Sequence, residues 1–596
     1  MLVTVAALAV VFIAGLLAIR FVLLPQWEAQ PHKAADFLSA RIGLPVALGG
    51  LKAGWEGWNP QLTIHDFQIY AASAGKVDAP DADAQLALSK VALQIDAWSS
   101  LIHLDVRFRH LRLEQPTLIV RRDTAGRVFI GGVLLAASPE GGDDDADSGQ
   151  LADWLLRQRE IEINGGMVEW RDEKRDAPPL VVEQLDFRGG QGLSHYRFGL
   201  RGDLVSALGT AFEVRGETST GLLQRSFDRA WTGYIRLDRV DLGSLRQWID
   251  LPLDVERGEG SVQAWTVSSK RRVTSATVDI ALRDVKAGWA SSTEPAVAPL
   301  ELREVRGRFK GRDERSRVVF SAEGLTLVEK SGLRLEPMTV ALTLEGFDPA
   351  TPQQMMARLT QALRGQIEFD RLDVSVLSGL LRLIPMPDGW LETLVALDVR
   401  GTLEKGSGRW ERMRKKNSEE GSWRLRHYKA RATVQGASVQ AYGDYPGVRG
   451  ISGTVSFDER QGAVTLKGRN VVLDLPKVFP ETLSLNTVDG NVRWAHKPEG
   501  LFIQTGALRF ANADVEGVAE GTWRANGGAG IANLTAQVHR AVASSAYRYI
   551  PHVAGEDVRH WLRESLKSGA ANRAKMVLKG DLDHFPFYGG KHGSFV

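Results

Sequence analysis

Leu104-Asp105-Val106-Arg107-Phe108-Arg109 alternates apolar and charged side chains without a break. Successive side chains of an extended chain point to opposite faces, so this stretch has one dry face and one wet face. Leu111 and Leu113 continue the pattern after a one-residue shift at His110, as a bulge or bend requires. Alternation returns at Val278-Asp279-Ile280-Ala281-Leu282, Leu325-Thr326-Leu327, Val464-Thr465-Leu466 and Phe502-Ile503. From Pro45 onward the pattern predicts strand almost throughout, in a sheet with one face on water.

A short unit also repeats: Gly, any residue, an aliphatic, a polar residue, then a large aromatic. It occurs as Gly166-Met167-Val168-Glu169-Trp170 and Gly365-Gln366-Ile367-Glu368-Phe369, then as Gly453-Thr454-Val455-Ser456-Phe457 and Gly490-Asn491-Val492-Arg493-Trp494. In a strand the Gly, the aliphatic and the aromatic share a face. The Gly is expected to open each strand after a tight turn, and the aromatic to bury the most area on the dry side. The irregular spacing of the copies predicts a ribbon of loosely repeated strands rather than a strict propeller or solenoid.

Short amphipathic helices are expected at Ala34 to Arg41, Leu151 to Arg159, Leu242 to Ile249, Val374 to Ile384 and Val558 to Leu566. Three of these sites share an outline of strand end, short helix and Gly-bearing strand. They are Val240-Asp241-Leu242 with Trp248 and Pro252, Leu372-Asp373-Val374 with Leu383 and Pro385, and Tyr549, Pro551 and Trp561 followed by Gly580-Asp581-Leu582. Two polar stretches, Pro139 to Gln150 and Glu411 to Ser422, read as solvated loops.

Composition narrows the class. The 596 residues carry 74 Lys and Arg against 72 Asp and Glu, a net charge of +2. A nucleic-acid binder would normally show a basic excess on one face, so no nucleic-acid partner is expected. Gly (61) and Pro (23) together make about 14% of the chain, well below the ~25–30% of low-complexity chains. The absence of Cys excludes disulfides, thiol catalysis and Cys-ligated zinc.

Leu2 to Leu24 contains a single charge, Arg20. As a helix it would span roughly 34 Å, enough for a ~30 Å hydrocarbon core. Its many Leu, Val, Ile and Phe contribute about −6 kcal/mol to insertion, against at most ~3.5 for Arg20. Arg20 lies near one end, where its side chain reaches the headgroups, and Trp27 marks the interface. A cleaved signal peptide would have a shorter apolar core, a basic start and a small-x-small site; this run reads as a retained anchor. Nothing basic precedes the span while Arg20, Lys33 and Arg41 follow, so charge counting alone leans weakly against an exported body and does not fix topology.

No catalytic set emerges, so no enzyme activity, cofactor or metal is expected. Asp143, Asp145 and Asp147 begin like a calcium loop, but Ser148 and Trp154 stand where an EF-hand needs Gly and Glu. Asp147-Ser148-Gly149 echoes a nucleophile fragment without a strained turn to carry it. The 12 His form no H-E-x-x-H, and Gly590-Lys591 is followed by His592, which spoils a phosphate loop. Nothing nominates the paired carboxylates that a glycan hydrolase would need.

What remains is an anchor and a long amphipathic sheet whose apolar face needs a partner: another sheet, closure, or something greasy. The fold class expected is mainly β, an N-terminal transmembrane helix followed by a long, curled, repetitive antiparallel β-sheet forming a hydrophobic groove, with a few short helices. Candidate groove-lining residues are Val168, Trp170, Ile367, Phe369, Val455, Phe457, Val492 and Trp494, with Arg20 and Trp27 as interface anchors.

The opening of the chain resembles AsmA-like proteins: Leu24-Pro25, Ile42-Gly43-Leu44-Pro45-Val46, Trp55, Pro60-Gln61-Leu62, and Leu113-Glu114-Gln115-Pro116-Thr117-Leu118 with Arg122-Asp123 and Gly126. Trp248-Ile249, Pro252, Gly260 and the ending Gly580-Asp581-Leu582-Asp583-His584-Phe585-Pro586-Phe587 resemble the YhdP branch of that family. The resemblance implies a single-pass Gram-negative inner-membrane protein with its bulk in the periplasm. It implies non-enzymatic, bridge-like conduction of phospholipids between inner and outer membranes, with membrane, acyl chains and other envelope proteins as partners. The alternative is a membrane-tethered scaffold for envelope assembly, its apolar face closed internally. Members of the branch are about twice this long, so the chain is expected to be an N-terminal portion. The organisation expected is an anchor at 1–24, an AsmA-like β region at 25–137, an acidic loop at 138–150, and β-groove sections at 151–390 and 391–596, the last truncated.

Overall fold

In the computed structural model, Phe108 and Arg109 of the opening stretch enter one long strand, Phe108–Arg122, while Leu104 to Val106 lie outside the described residues. Described residues are 31–42, 45–57, 59–70, 84–103, 107–130, 133–136, 157–192, 194–205, 210–219, 230–251, 254–269, 272–288, 299–314, 317–330, 332–346, 364–375, 396–414, 423–443 and 446–596, with Phe21 and Glu28. Most are in strands. The expected membrane span, with Arg20 and Trp27, lies outside them apart from Phe21. Among the described residues no helix is long and apolar enough to cross a membrane.

The chain divides into two units, Met1–Leu251 with Val255–Asp284, and Pro252–Asp254 with Val285–Val596. The first holds β1 Val46–Ala47, β2 Gly50–Glu56, β3 Asn59–Tyr70, β4 Ala84–Ile95, β5 Phe108–Arg122, β6 Val128–Ile130 and β7 Val133–Ala136. It continues with β8 Glu160–Asp172, β9 Ala177–Gln191, β10 His195–Leu204, β11 Thr210–Ser219, β12 Trp231–Asp241 and β13 Asp254–Ser269. The division falls within β14 Arg272–Gly288. The second holds β15 Leu300–Glu314, β16 Arg317–Glu329, β17 Arg334–Glu345, β18 Arg364–Asp373, β19 Arg400–Arg414, β20 Trp423–Val439, β21 Gly447–Asp458 and β22 Gln461–Asp474. It ends with β23 Leu483–Lys497, β24 Gly500–Ala511, β25 Val515–Arg524, β26 Ile531–Val542, β27 Ala570–Ala571, β28 Ala574–Asp581 and β29 Gly593–Phe595.

The described strand pairs are antiparallel with one exception, most of them between successive strands, while β1 joins β3 and β28 joins β26. β8 runs parallel to β5, with Leu111 opposite Ile161 and Val120 opposite Trp170. The small β6 and β7 ladder follows β5 before the chain returns, so β8 enters the sheet in the direction of β5. This corrects the uniformly antiparallel expectation.

The bulge expected at His110 is present. Gln94 faces His110 while Ile95 faces Phe108, leaving Arg109 as the extra residue. Sequence reading missed most of the other bulges. Asp66, Gln115 and Gln184 have left-handed backbones inside β3, β5 and β9, with φ of 49°, 47° and 50°. They sit at neighbouring heights, because Leu88 faces both Phe67 and Pro116, while Gly166 faces Leu185. In the second unit Lys405 and Asn470 take the same conformation, with φ of 51° and 54°, and Gly436 joins them at 59°. Apart from one at Glu411/Arg412, the shifts there fall near the start of β19 and β21 and near the end of β20, which antiparallel pairing places at one side of the sheet. Bulges bend strands and increase their twist, so aligning them bends the sheet along a line.

The Gly of the repeated unit opens a strand only at Gly365 in β18. Gly166, Gly453 and Gly490 lie inside β8, β21 and β23. At Gly453 a Cβ would stand 1.8 Å from the Thr465 carbonyl oxygen, so close backbone approach requires the glycine there. Glu411 to Arg414, expected in a loop, instead complete β19, with Arg412 opposite Leu425. The rest of that stretch, and the acidic stretch from Pro139 with Asp143, Asp145 and Asp147, lie outside the described residues.

Three of the expected short helices are present, as α1 Pro31–Ile42, α3 Leu242–Leu245 and α4 Glu556–Ser565, and α2 Ala97–His103 is one that the sequence reading did not expect. The expected helices at 151–159 and 374–384 fall mostly outside the described residues. A recurrent cap underlies the repeated outline. Asp241, Asp373 and Asp581 each accept a hydrogen bond from the amide two residues on, at 2.9, 2.9 and 3.2 Å, ending a strand and starting a helical turn. Asp96 does the same for α2 through the Ser99 amide at 2.9 Å, a copy that the sequence reading did not single out.

Candidate functional site

Cross-strand register shows what the apolar residues build together. In the first unit direct partners form one row across ten strands: Leu51, Ile64, Val91, Leu113, Ile163, Phe187, Leu200, Val214, Ile235 and Ala264. Every member is apolar. One residue along, the row reads Thr63, Ala92, Arg112, Glu162, Arg188, Gly199 and Arg215, on the opposite face.

The second unit repeats this over more strands. Phe320, Leu342, Ile367, Gly408, Ala430, Phe457, Gly462, Trp494, Ile503, Trp523 and Ala532 are successive partners from β16 to β26. The row behind it reads Glu368, Ser407, Arg431, Ser456, Ala463, Arg493, Gln504, Thr522 and Asn533. A wet face and a dry face thus run unbroken across the strands.

Ile367, Phe457 and Trp494 share that row. Val455 and Val492 flank Val464 in the next, and Phe369 pairs with Val340 and Gly406. Val168 and Trp170 belong to the first unit, where Val168 lies between Leu118 and Val182, and Trp170 between Val120 and Leu180. The shared face expected for each Gly, aliphatic and aromatic is what the register gives. Sequence reading missed Phe320, Leu342, Ile503 and Trp523. Their signal was present, since Gly521-Thr522-Trp523 is a shortened copy of the repeated unit.

Glycines opposite aromatics set the texture of the dry face. A Cβ at Gly462 would stand 2.1 Å from Trp494 Cζ2, and one at Gly406 2.0 Å from Phe369 Cζ. Gly365 under Trp410 and Gly216 under Phe198 repeat the arrangement at 2.1 and 2.3 Å. Each ring lies across the neighbouring strand, in the space that its partner's missing side chain leaves.

Burial separates the dry face from a sealed core. Leu51, Ile64 and Val91 are buried with Ala34 of α1, which packs on the start of the first row. Farther along, Leu113 to Val214 are half-buried and Ile235 is 41% exposed. In the second unit no residue of the row from Phe320 to Trp523 is fully buried, and Phe457 is 37% exposed. The fully buried cluster there, Val471, Leu485 and Val488, lies to one side of the row, packed with Leu508 and Phe510.

The wet face is held by ion pairs between strands. Arg112 Nε donates to Glu162 at 2.8 Å, Arg188 Nη2 to Glu160 at 2.7 Å and Lys310 Nζ to Glu323 at 2.6 Å. The Arg188 hydrogen bond holds the Glu160 carboxyl below its usual range. Such exposed pairs contribute ~0–1 kcal/mol each, and they keep the charges on one side. A half-buried apolar face backed by charge can take up apolar chains; among the described residues no set of three or more His, Cys, Asp or Glu is placed to hold a metal.

A family model described as YhdP protein matches residues 1–596. The chain is also 23% identical over 614 aligned positions to the intermembrane phospholipid transporter YhdP of Escherichia coli (strain K12). That alignment takes in 97% of this chain and 43% of the relative, so the chain spans less than half of that protein's length.

Proposed function

From the premise that this chain belongs to the YhdP family, we propose that its dry face carries phospholipid acyl chains between the two membranes of a Gram-negative envelope. Residues 2–24 anchor it in the inner membrane, with Arg20 and Trp27 at the interface, and the strands extend into the periplasm. The observation that carries this reading is the pair of unbroken apolar rows, most of whose members stay half-buried. Acyl chains lie along these rows while headgroups stay in water at the strand margins, with ~0.8 kcal/mol gained per buried CH₂. Hydrophobic transfer is non-directional, so a chain can slide from strand to strand without a catalytic group. Within each unit the lipid lies on the dry face, lined by Val168 and Trp170 in the first and by Ile367, Phe369, Val455, Phe457, Val492 and Trp494 in the second. The relative's printed role as an intermembrane phospholipid transporter supports the same substrate class.

Mass spectrometry of lipid extracted from the purified full chain tests the reading, with stoichiometric phospholipid as the expected result. Phe369→Asp and Trp494→Asp should lose that lipid while keeping the far-ultraviolet β spectrum. Lipid-free wild-type protein would overturn the proposal and favour the scaffold. Unfolding of both variants would return these two side chains to a structural core.

A further inference from the structure

A cavity of about 370 Å³ at the margin of the first unit is lined by Arg107, Arg157 and Arg159, with Asp96 as its one carboxylate. The lining therefore carries a local excess of two positive charges, as large as the net charge of all 596 residues. Asp96 is already engaged: its Oδ1 accepts from the Ser99 amide at 2.9 Å, and its Oδ2 lies 3.7 Å from Arg159 Nη1.

The backbone around the cavity is fixed from several directions. The Arg107 amide donates to Ser100 Oγ at 3.0 Å, and the Asp96 amide to the Arg107 carbonyl at 2.8 Å. The fully buried Gln158 accepts from the Phe108 amide at 2.7 Å, and the Arg159 amide donates to the Phe108 carbonyl at 3.1 Å. Three guanidinium groups, from Arg107 just before β5 and from Arg157 and Arg159 at the entry to β8, are thus presented on a frame tied to α2. Guanidinium forks match phosphate oxygens in pairs, and prior placement lowers the entropy lost on binding.

The helix beside the cavity is apolar where it meets water. Trp98 and Ile102, four residues apart on α2, are 67% and 59% exposed, while Ser99 of the same helix lines the cavity. A free phosphate would use only the arginines. A lipid would use both features, its phosphate in the cavity and its glycerol–acyl shoulder against Trp98 and Ile102.

We propose that this cavity binds the phosphate of a glycerophospholipid headgroup, giving the chain a fixed lipid station at its margin. The proposal does not depend on acyl chains lying along the dry face. Calorimetric titration of the full chain in an uncharged maltoside detergent tests it, with monomeric dihexanoylphosphatidylglycerol and inorganic phosphate as separate probes. The short-chain lipid should bind, and R157Q/R159Q, which changes two exposed side chains, should weaken it at least 10-fold. W98S/I102S should weaken the lipid and leave inorganic phosphate unchanged. Raising the salt concentration should weaken both probes, because the contact is partly solvent-screened. Equal lipid affinity in wild type and R157Q/R159Q, with both folded by circular dichroism, would overturn the site. Inorganic phosphate binding as tightly as the lipid, with no effect of W98S/I102S, would overturn the lipid assignment in favour of a free anion. Phe369→Asp should leave the inorganic phosphate titration unchanged, which separates its outcome from that of the acyl-chain test.

Discussion

Trp494 shows how a single side chain fixes local shape. Its ring occupies the space over Gly462 on the neighbouring strand, where even a methyl group would be 2.1 Å from Cζ2. Gly462→Val should therefore push the indole out of place and destabilise the protein by about 1–3 kcal/mol, the usual cost of overpacking. Urea unfolding followed by tryptophan emission would read both the loss and the displaced ring. The aromatic was legible in the sequence because it closes a repeated unit. Its partner was not, because pairing it with Gly462 requires the hairpin register.

At the scale of the strand, the bulges decide where backbone groups go. The bulge at Gly165 directs its amide to Asp186 Oδ1 at 3.0 Å, and Arg201 Nη2 donates to Asp186 Oδ2 at 2.8 Å. The Gly165 amide, followed by the Arg201 contact, holds the Asp186 carboxyl below its usual range. A lowered carboxylate stabilises the fold above the ordinary Asp pKa, and that contribution disappears as pH falls through the lowered value. Asp186→Asn should thus lose stability near neutral pH and show a shallower decline below about pH 4, measured as urea midpoints across the acid range. Lys405 tests the backbone itself. Its left-handed conformation, φ 51°, suits glycine and not a β-branched residue. Lys405→Gly should be more stable than Lys405→Val by about 1–2 kcal/mol, as read from denaturant midpoints. Strand existence was legible from alternation, and the repeated strand-end outline was legible too, but the Asp caps beneath it came only with the structure. The bulges were hidden, because Asp66, Gln115, Gln184 and Lys405 look like ordinary polar members of a wet face.

Across the whole chain, contacts within each unit run mainly between neighbouring strands, so damage should stay local. Ala34 is 2% exposed among Leu51, Ile64, Leu88 and Val91. Ala34→Glu would bury an unpaired carboxylate there, at a cost of several kcal/mol. Hydrogen exchange should then rise in β1 to β4 and stay at wild-type levels in β20 to β26. The sheet class and its two-faced character could be read from one strand, because period-2 alternation is a local property. The parallel seam between β5 and β8 could not, since it depends on how the chain returns after β7.

Because each apolar row crosses strands instead of following them, reach and girth are set by independent quantities. Inserting one hairpin would extend a row by two inter-strand spacings, roughly 9.6 Å, and leave its width unchanged. Lengthening every strand would broaden the strip without extending it. Hairpin duplication therefore acts as a ruler with a fixed tick, and a longer row needs only more ticks.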